Sequence, residues 1–387
     1  MRRGVLPLLL CALGVLAIIT GILPLERAES LFARIGPILG FVVAITIVAE
    51  LAAKARLFAV VGDYLAQFGR SRVWLLWLLI VGLAVVSTVF LSLDTTAVLL
   101  TPVVIVLAQR ASIAPMPFAL TTIWLANTAS LLLPVSNLTN LLSGQKMGAT
   151  PLQFAGLLWA PAVVGLVIPV AMLWFLFRKS FAERFEPSIP VPVGDRPLLL
   201  IAAATVVSLL VALISGIAVV WPASIAAVIL LVAFWFRRRE ELHFSLLPAV
   251  PLLITVGLFL LIETLHAQGL TGVLHRAVPA GDGLPALLQL SAAGVLAANV
   301  LNNLPAYLAL EPVADSPLRL GALLVGVNLG PLVTPWASLA TLLWYERVRS
   351  LGMTVRWGRF ALAGVVLVAC AVPTAVFMLW LSGGAPR

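Results

Sequence analysis

The chain alternates long apolar stretches with short polar interruptions. Apolar runs near twenty residues occupy 5–24, 35–53, 74–91, 154–177, 197–219, 221–236, 246–262, 284–298 and 360–381. At ~1.5 Å per residue, such runs cross or nearly cross a hydrocarbon core of ~30 Å, so they predict membrane helices. Four compact polar clusters interrupt the apolar pattern: SLDTT at 92–96, NTASLLLPVSNLTNLL at 127–142, NVLNN at 299–303 and NLGPLVTPWASLATLL at 328–343. The second and fourth align without a gap at an offset of 328 − 127 = 201 positions. Asn127 falls on Asn328, Pro134 on Pro335, Asn137 on Ser338 and Asn140 on Thr341. The chain therefore holds one unit twice: a helix-breaking proline followed by small polar side chains.

Composition confirms the class. The chain is 62% hydrophobic and 10% charged, where a soluble domain carries about a quarter charged residues. Its mean hydropathy is +1.14. The net charge of +9 does not indicate nucleic acid, because the basic residues cluster in short loops. They are Arg2 and Arg3; Lys54, Arg56, Arg70 and Arg72; Arg110; Arg178, Lys179, Arg184 and Arg196; Arg237 to Arg239; and Arg347, Arg349, Arg356 and Arg359. That is the positive-inside pattern of a multi-pass protein of the inner (plasma) membrane.

Placing every basic cluster in the cytoplasm requires two apolar segments to turn back without crossing. These are re-entrant hairpins at 74–109 and 284–310, turning at SLDTT and NVLNN. Broken helices follow at 118–147 and 317–346. Nine full spans remain, with the N-terminus cytoplasmic and the C-terminus outside. The expected architecture is all-α, with two inverted repeats, 1–186 and 187–387, joined at the Pro-rich loop 178–196. Glu50 and Glu263 close the helix before each hairpin. The Met-Arg-Arg start resembles a signal peptide, but no A-x-A site follows, so 5–24 reads as the first span.

Other chemistries are weakly represented. Cys11 and Cys370 lie in separate predicted spans with no metal spacing, and His243, His266 and His275 form no H-E-x-x-H or H-x-x-E-H motif. No Walker motif is present, so ATP is not used by this chain directly. No cofactor and no enzymatic nucleophile–base pair is expected. The triplet Asn137-Leu138-Thr139 matches a glycosylation acceptor by accident, since it falls inside a membrane break.

The polar breaks carry the candidate chemistry. Broken helices in matching positions of two halves point to a binding site near the midplane, and irregular backbone is tolerated there only beside protein or a wet cavity. The candidates for substrate or ion binding are Asp94, Thr95 and Thr96 at the first tip, and Ser136, Asn137 and Asn140 in the first break. Asn302 and Asn303 are their counterparts at the second tip, and Thr334, Ser338 and Thr341 in the second break. Asp94 is the one carboxylate predicted at the midplane, where an ionisable group is costly and usually functional. It would take up a proton or cation, or cap a helix over 95–107. A neutral polyol and a cation-paired anion both suit the hydroxyl and amide set. A non-transporting scaffold or receptor would not need four polar breaks.

The segments LSLDTTAVLLTPVV (91–104), LLPVSNLTNLLSG (132–144), LNNLPAYL (301–308) and NLGPLVTPWASLATLLWYERVRSLG (328–352) together resemble the arsenical pump (arsenite-efflux) membrane proteins. Those belong to the ion-transporter superfamily, which also holds divalent-anion/sodium symporters, citrate transporters and a sodium/proton antiporter branch. The resemblance implies an elevator-type fold, with hairpins and broken helices riding against a scaffold. It implies extrusion of arsenite or antimonite by proton exchange, with no cofactor. A sodium- or proton-coupled di- or tricarboxylate transporter is the alternative. The expected partners are the lipid bilayer, the small substrate and H+ or Na+; a homodimeric copy and a separate ATPase partner stay open. Leu93-Asp94-Thr95 replaces the family's Asn-Asp-Gly tip, Asn328 replaces the Asp before L-G-P, and Ala337 replaces the Gly before S-L-A-T.

Overall fold

The computed structural model describes residues 5–186 and 194–383. The Pro-rich part of the expected joint (Pro187, Pro190, Pro192) and the basic pair Arg2 and Arg3 lie outside them. Helix α1 spans Val5–Ile19, α2 Leu25–Lys54 and α3 Leu57–Phe68. The first hairpin follows: α4 (Val73–Leu91), a break at Ser92, then α5 (Leu93–Thr95), a π-helical turn (Thr96–Leu100) and α6 (Thr101–Arg110). The first broken helix is α7 (Met116–Thr128) and α8 (Leu138–Met147), and α9 (Pro151–Phe181) closes the half. Next come α10 (Arg196–Ala212) and α11 (Val220–Arg237). The second half repeats the order: α12 (Ala249–Ala267), α13 (Leu270–Ala277), hairpin α14 (Leu284–Val300) and α15 (Asn303–Leu310), broken helix α16 (Pro317–Leu329) and α17 (Leu339–Ser350), and α18 (Trp357–Gly383). Helix α10 has no counterpart.

Among the described residues, seven helical stretches are long and apolar enough to cross a membrane, the two arms of the first hairpin among them. The outer surface is correspondingly apolar: Leu200, Val207, Val211, Trp221, Ile225, Val228 and Phe236 are exposed on α10 and α11. On a soluble protein a patch of this size would be a liability; here it faces lipid tails. Polar side chains are instead inside, where Thr96, Thr101, Thr122, Asn127, Asn140 and Asn328 are buried.

Contacts show that both segments fold back as hairpins with their open ends together. Helix α3 packs on both arms of the first, since Gly62 lies against Val103 and Gly69 against Leu76, and Arg110 pairs with Asp63 at 3.5 Å. The open ends of α4 and α6 therefore share one face. At the second hairpin, Arg319 donates to Pro279 O and Gly281 O before α14 (2.9 Å each) and to Val313 O after α15 (2.9 and 3.2 Å). The ion pairs fall at opposite ends of α2. Lys54 holds Glu241 at 2.7 Å, and its hydrogen bond keeps the Glu241 carboxyl below its ordinary range. At the other end Arg27 meets Glu263 and Arg34 meets Glu311.

The helices form two groups. Helices α1 with α12, and α2 with α10 and α11, make a frame. The hairpins, broken helices, α9 and α18 pack together as a second body. The pairing of α1 with α12 and of α2 with α11 is itself pseudo-two-fold.

The second body is packed by glycine at equivalent places. A Cβ on Gly165 of α9 would stand 2.6 Å from Thr128 O, and one on Gly364 of α18 would stand 2.0 Å from Leu332 O. Each long helix thus rests directly on the carbonyls of its own half's break, the small-residue packing that membrane helices use. Gly364→Val should leave no folded population recoverable from membranes, measured by size-exclusion chromatography in detergent. A monodisperse, thermally unchanged variant would mean that α18 does not rest on this break.

Two sequence expectations change. Helix α2 begins at Leu25, ten residues before the apolar run at 35. Its charged first turns hid it, and two of those charges, Arg27 and Arg34, are paired across the molecule. The short helices α3 and α13 were also hidden, because neither is long enough to register as a span.

Candidate functional site

The two tips and both breaks line one cavity of about 560 Å³, together with α2 and α12 of the frame. Among the expected site residues, Asp94, Thr95, Asn137, Asn302, Asn303 and Ser338 line it. Thr96, Ser136, Asn140, Thr334 and Thr341 do not; Ser136, Asn140 and Thr334 bond the backbone that shapes it, Thr96 bonds Ser87 and Thr88, and Thr341 Oγ1 is buried with no hydrogen-bond partner among the described residues. Glu50 and Thr46 of α2, Thr255 of α12 and Arg347 of α17 also line the cavity. Glu50 stood out in the sequence only as the end of an apolar run. Arg347 read as a loop cation, although it lies one turn inside α17.

Both tips rest on non-glycine residues at positive φ: Ser92 at 100° and Asn302 at 153°. Such backbone costs of order 1–3 kcal/mol and persists where surrounding contacts enforce it. Each of these side chains caps the following helix: Ser92 Oγ accepts from Thr95 N at 3.4 Å, and Asn302 Oδ1 accepts from Leu304 N at 3.3 Å. This corrects the capping role considered for Asp94. The cap is Ser92, and Asp94 sits within the first turn. Its side chain has no hydrogen-bond partner among the described residues and opens to the cavity, although protein surrounds it deeply. That combination is expected of a solvated residue at the bottom of a wet pocket.

The first tip is tied to its own hairpin. Thr95 Oγ1 donates to Leu91 O at 2.8 Å, and Thr96 Oγ1 donates to Ser87 Oγ and accepts from Thr88 Oγ1, both at 2.9 Å. The second tip is tied to the second break. Asn303 N donates to Ala337 O and Asn302 Nδ2 to Trp336 O, both at 2.8 Å. Asn299 accepts from Thr334 N at 3.0 Å and donates to Gly330 O at 2.9 Å.

Between the halves, Asn328 is the hub. Its Oδ1 accepts from Asn137 Nδ2 (2.8 Å) and Thr139 Oγ1 (3.0 Å), and its Nδ2 donates to Asn140 Oδ1 (2.7 Å). Asn140 also donates to the freed carbonyls of Ser130 and Leu133. It is thus Asn328, not Thr334, Ser338 or Thr341, that bonds the first break across the pseudo-axis. Thr334 serves Asn299 instead, and Ser136 Oγ donates to Leu133 O at 2.5 Å.

The charged groups on the wall are Asp94, Glu50 and Arg347; the rest of its polar lining is hydroxyl and amide. Cys11 and Cys370 lie outside the lining. A neutral or cation-accompanied solute fits such a wall, because an unpaired multivalent anion would lack compensation.

Hairpin tips that meet broken helices around one cavity, in two halves of the same element order, are the layout of a membrane transporter, and the comparisons agree. A citrate transporter family model matches residues 1–341, and the chain belongs to that family of membrane transporters. It is 26% identical over 385 residues to the arsenical pump membrane protein of Escherichia coli K12, covering 92% of this chain and 88% of that one. It is 29% identical to the arsenical pump membrane protein of Yersinia enterocolitica, covering 77% of this chain and 75% of that one. The crystal structure of the Alcanivorax borkumensis YdaH transporter, described as having an unusual topology, superposes with a TM-score of 0.59 at 15% identity, over 100% of this chain and 99% of that one.

Proposed function

We propose that the chain extrudes arsenite or antimonite across the cytoplasmic membrane in exchange for protons, by an elevator movement of the second body against the frame. The observation that carries this reading is the charge of the cavity wall: two carboxylates, Asp94 and Glu50, against the single cation Arg347. Near neutral pH arsenite is a neutral triol, which hydroxyl and amide partners can hold without a countercharge. A tricarboxylate would bring more negative charge to a wall that already has an excess. The named relatives support the same substrate. Asp94 is the coupling group in this reading, and Asn137, Asn303 and Ser338 bind the solute. Lys54 and Arg110 mark the cytoplasmic face, with Arg34 and Glu311 on the outer one.

The test uses everted membrane vesicles given arsenite, citrate or succinate under imposed proton or sodium gradients. Proton-driven arsenite accumulation is expected, lost in Asn303→Leu, which removes one of the second tip's two amides from the cavity wall. Sodium-driven uptake of citrate or succinate with no arsenite flux would overturn the proposal and establish the carboxylate alternative.

A further inference from the structure

A second charged cluster lies outside the cavity's lining, at the base of the second hairpin. The Glu311 carboxylate is buried, with 6% of its side chain exposed. Both of its oxygens are occupied by Arg34 of α2: Nη1 donates to Oε2 at 3.1 Å and Nη2 to Oε1. Tyr307 Oη donates to Oε1 at 3.2 Å. Lys146, at the end of α8, donates to the Glu311 carbonyl, and Gln145 donates to Arg34 O at 3.3 Å.

The partners sort by body. Tyr307, Lys146 and Glu311 belong to the hairpin and broken-helix body. Arg34 belongs to the frame. The fork-to-carboxylate pair, a strong and geometrically specific contact, therefore joins the two bodies that the proposed function requires to slide. The surrounding ionisable groups are few. On α2, Arg27 is engaged by Glu263 of α12 at 3.6 Å. After α15, Asp315 is engaged by Arg319 of α16 at 3.0 Å. His266 of α12 is held by Thr271 and Leu308 O. Arg34 is thus the frame's one direct contact with the Glu311 carboxylate among the described residues.

We infer that the Arg34–Glu311 pair is a proton-released lock between the frame and the moving body. The inference rests on the elevator reading. Parting the pair while Glu311 is ionised strands a buried carboxylate without its guanidinium, which is strongly unfavourable. Transfer of one proton from the adjacent aqueous phase to a Glu311 carboxylate oxygen removes that penalty. The neutral acid keeps a hydrogen bond with Tyr307, and no other covalent bond changes. Proton uptake on this face then permits the slide, and proton loss resets the lock. Glu311 is here a positioning residue, distinct from any group that touches the solute.

The experiment reads the lock without transport. Full-length protein in lipid nanodiscs, with Cys11→Ser and Cys370→Ser, carries Leu310→Cys, a buried position beside Glu311 (4% exposed). Labelling by a water-soluble maleimide, corrected for the reagent's own pH dependence, should be on the order of a hundredfold faster at pH 5.5 than at pH 8, given the cost of parting the pair. In Glu311→Gln, or in Arg34→Gln, it should be fast at both pH values. The charge-swapped pair Arg34→Glu with Glu311→Arg should again be slow at pH 8, which separates a lock from misfolding. Equal rates in parent and Glu311→Gln at both pH values overturn the lock. Expected labelling with no flux of arsenite, citrate or succinate upholds the lock and retires the substrate reading. Proton-driven flux whose pH dependence is unchanged in Glu311→Gln overturns the coupling role.

Discussion

Asp94→Asn should reduce gradient-driven flux to background, a loss on the order of a hundredfold or more, the scale commanded by an essential proton-transferring group. Asn matches the shape of Asp and keeps its hydrogen-bonding capacity, but it cannot take up a proton or offer a full negative charge. The substitution should not disturb the fold. Asp94 is not the cap of its helix, since Ser92 fills that role, and no hydrogen bond among the described residues depends on its carboxylate. The measurement is flux in vesicles alongside the melting temperature of the purified variant. Loss of flux at unchanged melting temperature is the expected pair of results. Full flux with unchanged pH dependence would reduce Asp94 to a bystander. The variant should also keep the pH-dependent labelling of Leu310→Cys, because Asp94 lines the cavity and Glu311 does not.

Arg319→Leu should loosen the second hairpin while the rest of the molecule stays folded. The guanidinium is 2% exposed and occupied on every side. It binds three carbonyls, Pro279 O, Gly281 O and Val313 O, and the Asp315 carboxylate. Those carbonyls lie just before α14 and just after α15, so one side chain closes the open end of the second hairpin. Removing it leaves the buried Val313 carbonyl without its donors, at about 1–3 kcal/mol, and unties the Pro279 and Gly281 carbonyls and the exposed Asp315 carboxylate. The first hairpin is closed differently, by packing on α3, and should remain intact. Hydrogen exchange in the variant should therefore rise in 279–315 and stay near parent levels in 73–110. Uniform loss of protection, or none, would contradict this division of labour.

The polar breaks were legible because polarity in an otherwise apolar chain is a strong signal. The 201-residue offset placed Asn137 and Asn140 against Ser338 and Thr341 before any coordinates were needed. The roles within the breaks were less legible. Asn328 aligned with Asn127 and looked like its equal, yet Asn328 bridges the halves while Asn127 Nδ2 donates to Ile123 O within its own helix. Sequence spacing gives neighbours along a helix, not which amide reaches across a pseudo-axis. The cavity's frame side was hidden for a similar reason. Glu50 and Thr46 lie four apart on α2, on a face whose neighbour, α12, comes two hundred residues later. The lock was hidden because Arg34 and Glu311 are 277 positions apart and each reads alone as an ordinary charge at a span's edge.

The Asn328 hub has a consequence for how the protein is made. Asn137 and Asn140 enter the membrane 191 and 188 residues before the side chain that satisfies them. At about 5–20 residues per second, the first break waits roughly 10–40 s with its amides unpaired across the axis. Helix α1 waits longer still for α12. The first half must therefore persist as a partly wet, incompletely packed insertion intermediate, sheltered by water or by the insertion machinery. The order of synthesis, rather than the stability of the finished molecule, is then what limits how polar the first break can be.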